Sequence, residues 1–369
     1  MKYYLIAGEA SGDLHGANLM KSILKEDPNA EIRFWGGDLM QSVGGTMVLH
    51  YKERAFMGFL EVILNLFKIL GFIKQCKKDI EAYNPDALIL IDNSGFNLRI
   101  AEWAKPKGYT THYYISPQVW ASRAGRVKTI KASVDYMYVI LPFVKDFYKK
   151  YDYDVNFVGH PLIDAIADHT QVMPDDFKKQ YQLDDRPIIA ILPGSRKQEI
   201  RKMLEVMLSV VDDFSEYQFV IAGAPSQDEE FYEPFIKKEG VHLIINRTYD
   251  ILSLSTAALV TSGTATLETA LFKVPQVVCY KGNAISYHIA KRIINLDYIS
   301  LVNLIMDKPV VTELIQGDFN TKKLKEELTI ILDDYKRAVM FLEYYDLEKK
   351  LGGKGASDKT ANLIVEKTK

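Results

Sequence analysis

Cysteine is almost missing from this chain. Cys76 and Cys279 are the only two in 369 residues, far apart and in unrelated apolar contexts. They imply neither a disulfide framework nor a metal pair, and they suit a reducing compartment. Net charge is nearly missing too: the formal value of −2 gives no bulk electrostatic reason to expect a nucleic-acid partner. The start, Met1-Lys2-Tyr3-Tyr4-Leu5-Ile6-Ala7-Gly8, lacks the long apolar core and cleavage site of a signal peptide, so the chain is expected to stay in the cytoplasm. No internal repeat or low-complexity run is visible. The dinucleotide fingerprint G-x-G-x-x-G is absent as well, since Gly8, Gly12 and Gly16 have the wrong spacing, which disfavours a nicotinamide cofactor.

What the chain does have is apolar residues, 48% of the total, enough for two sizeable cores. Strand-like runs at Tyr3–Ala7, Ile32–Trp35, Ala87–Ile91, Thr110–Ile115 and Tyr136–Ile140 alternate with amphipathic helical stretches. A second series follows at Ile188–Leu192, Phe219–Ala222, His242–Ile245, Ala257–Val260 and Gln276–Tyr280. Alternation of this kind predicts an α/β protein with two doubly wound parallel-sheet domains. The Gly159-His160-Pro161 punctuation sets the boundary, giving residues 1–160 and 161–344, followed by charged C-terminal helices from about 345 to 369. Ligands of open parallel sheets bind beyond the strand C-termini, so two such domains are expected to enclose a cleft.

The segment Ala55–Ile73 stands apart. Its polar or small positions, Gly58, Glu61, Asn65 and Lys68, form one narrow stripe on an otherwise apolar helix. Two charges in roughly 19 residues argue against a transmembrane span. Either a buried core helix or an apolar surface that meets lipid accounts for the pattern. Lys68, Lys74, Lys77 and Lys78 tilt the reading toward an anionic membrane surface, with Phe56, Met57, Phe59, Leu60, Ile63 and Phe67 as the membrane or acyl contacts.

Chemistry is expected in the loops after strands. After the first run come Glu9, Ser11 and Asp13, read either as helix caps or as partners for acceptor hydroxyls. Asp92 ends the run Ala87–Ile91, where a parallel strand delivers its last side chain to the ligand side. A lone carboxylate behind such a strand can serve as a general base, or as an Asx-turn or cap residue for the helix that follows. Ser116 to Lys131 grows basic, and Arg123, Arg126, Lys128 and Lys131 could hold a substrate phosphate. In the second domain, Gly194, Ser195 and Arg196 open one strand-to-helix turn, and Ser262, Gly263 and Thr264 open another. Both are anion-friendly turns. Glu268, one turn further on, can accept hydrogen bonds from a ribose diol, so the pair suggests a nucleoside diphosphate.

Together these stretches resemble the lipid-A-disaccharide synthase family. The resemblance is carried by Gly8-Glu9-Ala10-Ser11-Gly12-Asp13, Met57-Gly58-Phe59-Leu60-Glu61-Val62, Ile91-Asp92 with Phe96-Asn97, Tyr114 to Ala121, Phe157 to Leu162, Leu192 to Arg196, Ser262 to Glu268, and Asp297 to Leu304. It implies a GT-B architecture with a C-terminal tail crossing back. It also implies an inverting transfer of 2,3-diacylglucosamine from UDP-2,3-diacylglucosamine to 2,3-diacylglucosamine 1-phosphate, with no metal or cofactor and with peripheral attachment to the inner face of the cytoplasmic membrane. By position, Asp92 matches the family's base and Arg196 its essential cation, while Glu268 and Asn303 fall on its UDP side and Asn97 and Ser116 on its acceptor side. Members often carry a second acid where this chain has Gly95; Ser122 and Val144 also depart from the usual residues. A homodimer is left open. The competing readings are another UDP-sugar enzyme of this architecture, such as an epimerase or a transferase to a different lipid acceptor, and a non-catalytic nucleotide-sugar or lipid-binding protein.

Overall fold

The computed structural model describes residues 1–54, 66–121, 124–282 and 297–369. It divides into two compact units: Met1–Asp164 with Leu351–Lys369, and Ala165–Lys350. Unit 1 contains, among the described residues, a seven-stranded sheet built from β1 (Lys2–Ala7), β2 (Glu31–Gly36), β3 (Thr46–His50), β4 (Ala87–Ile91), β5 (Thr110–Tyr114), β6 (Tyr136–Val139) and β7 (Asn156–Phe157). All pairs are parallel, in the order β3-β2-β1-β4-β5-β6-β7. Unit 2 contains β8 (Ile188–Leu192), β9 (Gln218–Gly223), β10 (Val241–Ile245), β11 (Ser255–Thr261), β12 (Gln276–Tyr280) and β13 (Thr312–Ile315), again all parallel, in the order β10-β9-β8-β11-β12-β13. Each unit is Rossmann-like.

The central strands are continuous apolar runs because both of their faces are covered. Every residue of β4, Ala-Leu-Ile-Leu-Ile, is fully buried. In unit 2, Ile188, Ala190 and Leu192 of β8 join Val220, Ala258, Val260 and Phe177 in one core cluster. The alternate residues Ile189 and Ile191, also fully buried, belong to the opposite face of the strand.

Strand order reverses between β1 and β4 in unit 1, and between β8 and β11 in unit 2. A crevice opens at such a switch point, outside the carboxyl ends of the strands. Register pairs Ala7 with Ile91 and Ile91 with Tyr114. The loops that begin at Gly8, Asp92 and Ile115 are therefore neighbours. In unit 2, Leu192 pairs with Val260, which makes the Gly194 and Ser262 turns neighbours at that switch point.

The tail returns to unit 1. Its last helix, Ala356–Thr368, packs on the helix Ala10–Glu26. Ser22 donates to Asp358 at 2.5 Å, and the Asp164 carboxylate accepts from the Gly355 and Ser357 amides at 2.6 and 3.2 Å. Among the described residues, no helix is long and apolar enough to cross a membrane.

Candidate active site

In unit 1 the site is built on backbone held in an unusual conformation. Asp92 and Asn93 both have positive φ, 47° and 43°, between β4 and the helix Ser94–Ala104. Asp and Asn are the side chains that tolerate this region best. The Asp92 amide donates to the Tyr114 carbonyl at 3.0 Å, while the Asp92 carbonyl accepts from Asn97 Nδ2 at 2.9 Å and from the Tyr113 hydroxyl. Asn97 Nδ2 also donates to Ile91 O at 3.0 Å and, more weakly, to Ile6 O at 3.4 Å. Fully buried Asn97 thus ties the ends of β1 and β4 together, and its amide positions Asp92 from behind.

No side chain caps the helix that follows Asp92; its N-cap is Asn93. The Asp92 carboxyl is pushed above the usual carboxylate range, first by burial and then by the negative charge of Glu9, with the Asn93 amide opposing. Glu9 itself is exposed at the start of the helix Ala10–Glu26. Gly8 has a spatial role: a Cβ there would lie 2.0 Å from Asn93 Nδ2. Ile115, after β5, also has positive φ, 61°. In a β-branched residue this is strain, and it precedes buried Ser116.

The remaining residues expected on the acceptor side are arranged differently from one another. Ser11 is exposed beside Glu9. Asp13 is buried, and its carboxylate accepts from the Gly37, Leu39 and Met40 amides at 2.7, 3.0 and 3.1 Å. It organises the turn into the helix Asp38–Val43 and has little left for an acceptor hydroxyl. Arg126 is exposed at the end of the short turn Ala124–Arg126. Arg123, with Phe56, Met57, Phe59, Leu60 and Ile63, lies outside the described residues, whereas Phe67 is described and 87% exposed.

In unit 2, Gly194 has φ 98°, and a Cβ on it would meet Glu199 Oε2 at 2.7 Å. Exposed Arg196 is the N-cap of the helix Lys197–Met207, and the exposed Ser195 holds Gln227 Nε2 through its carbonyl at 3.0 Å. The helix Thr264–Leu271 begins after Gly263 without a side-chain cap. The Ser262 hydroxyl donates to Ile299 O at 2.9 Å instead of capping this helix. Two helix N-termini with open amides therefore flank the switch point, as suits an anion.

Largely buried Glu268 accepts from the Tyr249 hydroxyl at 2.9 Å, and burial raises its carboxyl despite that hydrogen bond. Asn303 is almost fully buried and its amide is fully engaged. Its Oδ1 accepts from the Val310 and Val311 amides at 2.8 and 2.9 Å, and its Nδ2 donates to Val311 O and Glu313 Oε1, both at 2.9 Å. Glu313 in turn accepts from the Ile299 and Ser300 amides at 2.9 Å. Asn303 therefore fixes the loop that receives Ser262, acting on the Ser262 turn through Glu313.

Tyr249, Glu313 and Ile115 were not found by reading the sequence. No local pattern marks them, because their roles depend on partners from distant strands. Buried His15 and His160 were missed for the same reason: burial pushes them down to about 4 and about 3, with the charge of His15 adding to the effect on His160.

The family described as lipid-A-disaccharide synthetase matches residues 3–365, nearly the whole chain. The chain belongs to this family. The lipid-A-disaccharide synthase of Syntrophus aciditrophicus (strain SB) is 41% identical over 373 residues, covering 98% of this chain and 96% of that protein. Its counterpart in Geobacter sulfurreducens is 36% identical over 370 residues, with the same coverage. Among solved structures, the UDP-GlcNAc 2-epimerase from Neisseria meningitidis bound to UDP-GlcNAc has a TM-score of 0.66 at 14% identity, covering 100% of this chain and 99% of that one. The calicheamicin glycosyltransferase has a TM-score of 0.58 at 15% identity, covering 99% and 98%. These two likenesses show the GT-B fold alone. Family membership and fold together make the chain a glycosyltransferase.

Proposed function

We infer that the chain transfers 2,3-diacylglucosamine from UDP-2,3-diacylglucosamine to 2,3-diacylglucosamine 1-phosphate. The products are the β-1,6-linked disaccharide 1-phosphate and UDP. The observation that carries the reading is Asp92: a partly buried carboxyl of raised pKa at the switch point of unit 1, in a chain that matches the synthase family over nearly its whole length.

Asp92 takes the proton of the acceptor 6-hydroxyl as that oxygen attacks the anomeric carbon from the face opposite UDP, so the configuration inverts. The Gly194–Ser195 turn, Arg196 and the Ser262–Thr264 helix end stabilise the charge that develops on the leaving diphosphate. Glu268, held by Tyr249, accepts from the ribose diol, and Asn303 steadies the Ser262 turn. Glu9, Ser11, Ser116, Arg123 and Arg126 serve the acceptor side, with Asn97 positioning Asp92 and Asp13 organising the loop beside it. The enzyme works at the inner face of the cytoplasmic membrane, attached peripherally through the apolar segment Ala55–Ile73; the exposure of Phe67 supports this.

Mass spectrometry of the product from the two diacylated substrates tests the reaction. A disaccharide 1-phosphate is expected, and epimerisation of UDP-N-acetylglucosamine without an acceptor would refute the reading. Asp92→Asn should lower turnover by about two orders of magnitude or more with UDP affinity unchanged. Near-normal turnover in that variant would remove Asp92 from the base role.

A further inference from the structure

The loop after β9 reaches across to the turn after β8. Gly223 ends β9, and Ala224-Pro225-Ser226-Gln227 forms a tight turn in which the Gln227 backbone amide donates to the Ala224 carbonyl at 3.0 Å. Proline in the second position presets such a turn. The Ala224 amide donates to the hydroxyl of fully buried Tyr232 at 3.0 Å, which ties the turn to the core of unit 2. From this base the Gln227 side chain crosses over. Its Nε2 donates to the Ser195 carbonyl at 3.0 Å and to Ser226 Oγ at 3.1 Å, while the Ser226 hydroxyl reaches the same carbonyl only at 3.5 Å.

Two features separate this contact from an ordinary surface hydrogen bond. First, Gln227 Oε1 is buried and has no hydrogen-bond partner among the described residues. Turning the amide over would set Oε1 against the Ser195 carbonyl, oxygen against oxygen. The contact therefore needs a donor, and the fold tolerates a buried unpaired acceptor to supply one. Second, the Ser195 carbonyl and the Arg196 N–H belong to one trans peptide and point in opposite directions. β8 lies between β9 and β11, so a carbonyl held from the β9 side turns the Arg196 N–H toward the Ser262 turn and the crevice at the switch point. Among the described residues, no backbone carbonyl accepts from that N–H.

We propose that Gln227 is the positioning residue of the diphosphate turn: by holding the Ser195 carbonyl, it aims the Arg196 N–H at the leaving diphosphate. The proposal rests on the nucleotide reading of the Gly194–Arg196 turn above and adds a residue outside that turn on which its geometry depends. Gln227 acts through the peptide and touches neither sugar nor phosphate. A peptide free to rotate would at times present its carbonyl oxygen to the crevice, where it repels the phosphate that the N–H stabilises.

The test is calorimetric titration of the full chain with UDP and with uridine, which lacks the phosphates, for the wild type, Gln227→Ala and Gln227→Glu. Gln227→Ala should weaken UDP binding about tenfold and change uridine binding by less than about twofold; kcat should fall about 10- to 100-fold with the acceptor KM unchanged. Gln227→Glu keeps the shape but has no proton to donate while ionised, so at pH 7.5 it should bind UDP at least as weakly as Gln227→Ala. Burial beside a carbonyl oxygen favours the neutral form of the new carboxyl. As pH falls to about 5.5 its O–H can donate to Ser195, and UDP affinity relative to the wild type should recover, whereas the ratio for Gln227→Ala should stay flat. Unchanged UDP affinity in Gln227→Ala would overturn the proposal. Equal losses for UDP and uridine would do the same, since they would mark a general loosening of unit 2, and a pH-independent ratio for Gln227→Glu would remove the donor role. Should Gln227→Ala lose its fold, the pH response of the isosteric Gln227→Glu still decides the matter. If the nucleotide reading itself were wrong, the wild type would not bind UDP; failure of this proposal alone leaves wild-type UDP binding intact.

Discussion

Gly8→Ala probes the junction on which the proposed base depends. Gly8 is not among the residues with positive φ, so alanine fits its backbone and the perturbation is one of space. The new Cβ would lie 2.0, 2.5 and 2.8 Å from Nδ2, Cγ and Cβ of Asn93. Rotating the Asn93 side chain relieves the first two contacts. The third is fixed to the backbone, and ordinary contact distance requires it to retreat by roughly 0.6–1 Å. Asn93 is bonded to Asp92, whose own position is set by Tyr114, Asn97 and Tyr113. A misplacement of about 1 Å at a reacting group costs on the order of a hundredfold in rate, while small overpacking costs stability about 1–3 kcal/mol. Gly8→Ala should therefore lower kcat about 10- to 100-fold, measured as acceptor-dependent UDP release, with only a modest fall in Tm. Adding Asn93→Gly removes all three contacting atoms and leaves a residue at ease with φ 43°, so the double variant should recover most of the activity that Asn93→Gly alone retains. Full turnover in Gly8→Ala, or no recovery in the double variant, would refute the reasoning.

Acid should loosen unit 1. His15 is held down to about 4, and His112 and His160 to about 3, chiefly by burial. As pH falls below about 6.5 the unfolded chain takes up protons that the folded one refuses, so stability present at neutral pH is lost progressively toward those folded values, by about 2 kcal/mol per histidine at pH 5. A Tm unchanged between pH 7.5 and 5 would contradict this. Tyr249→Phe removes the phenol that orients Glu268 and should weaken UDP binding about 5- to 10-fold while narrowing the preference for UDP over 2′-deoxy-UDP, measured by calorimetry. An unchanged preference would detach Glu268 from the ribose. Asp13→Ala strips three backbone amides of a buried acceptor and should cost about 3 kcal/mol in denaturant unfolding, against a near-zero change for Ser11→Ala.

Much of the architecture was legible in single stretches. Runs such as Ala87–Ile91 and Ile188–Leu192 are apolar without alternation because strands covered on both faces have no polar side to display, and the helical patterns between them imply parallel pairing. Strand ends then mark the ligand side, which is how Asp92, Gly194 and Glu268 could be singled out before any fold was known. The roles of Asp13, Asn97 and Asn303 were not legible in this way. A polar residue near a ligand loop looks the same in sequence whether its polar atoms face the ligand or the fold's own backbone.

By itself, then, the sequence determined the two parallel-sheet units and the candidate loops at their strand ends, which follow from local periodicity and spacing, and the resemblance of its motifs pointed to the family to which the chain belongs. Tertiary structure alone decided that β4 lies between β1 and β5, so that Glu9 acts on Asp92 and Ile115 is strained beside it. It also decided that Tyr249 holds Glu268, that Asn303 acts through Glu313, and that His15 comes close enough to His160 to act on it electrostatically. The physical reason is the same in each case: a hydrophobic pattern is written along the chain, whereas the partner of a hydrogen bond or a charge is chosen by strand order and register.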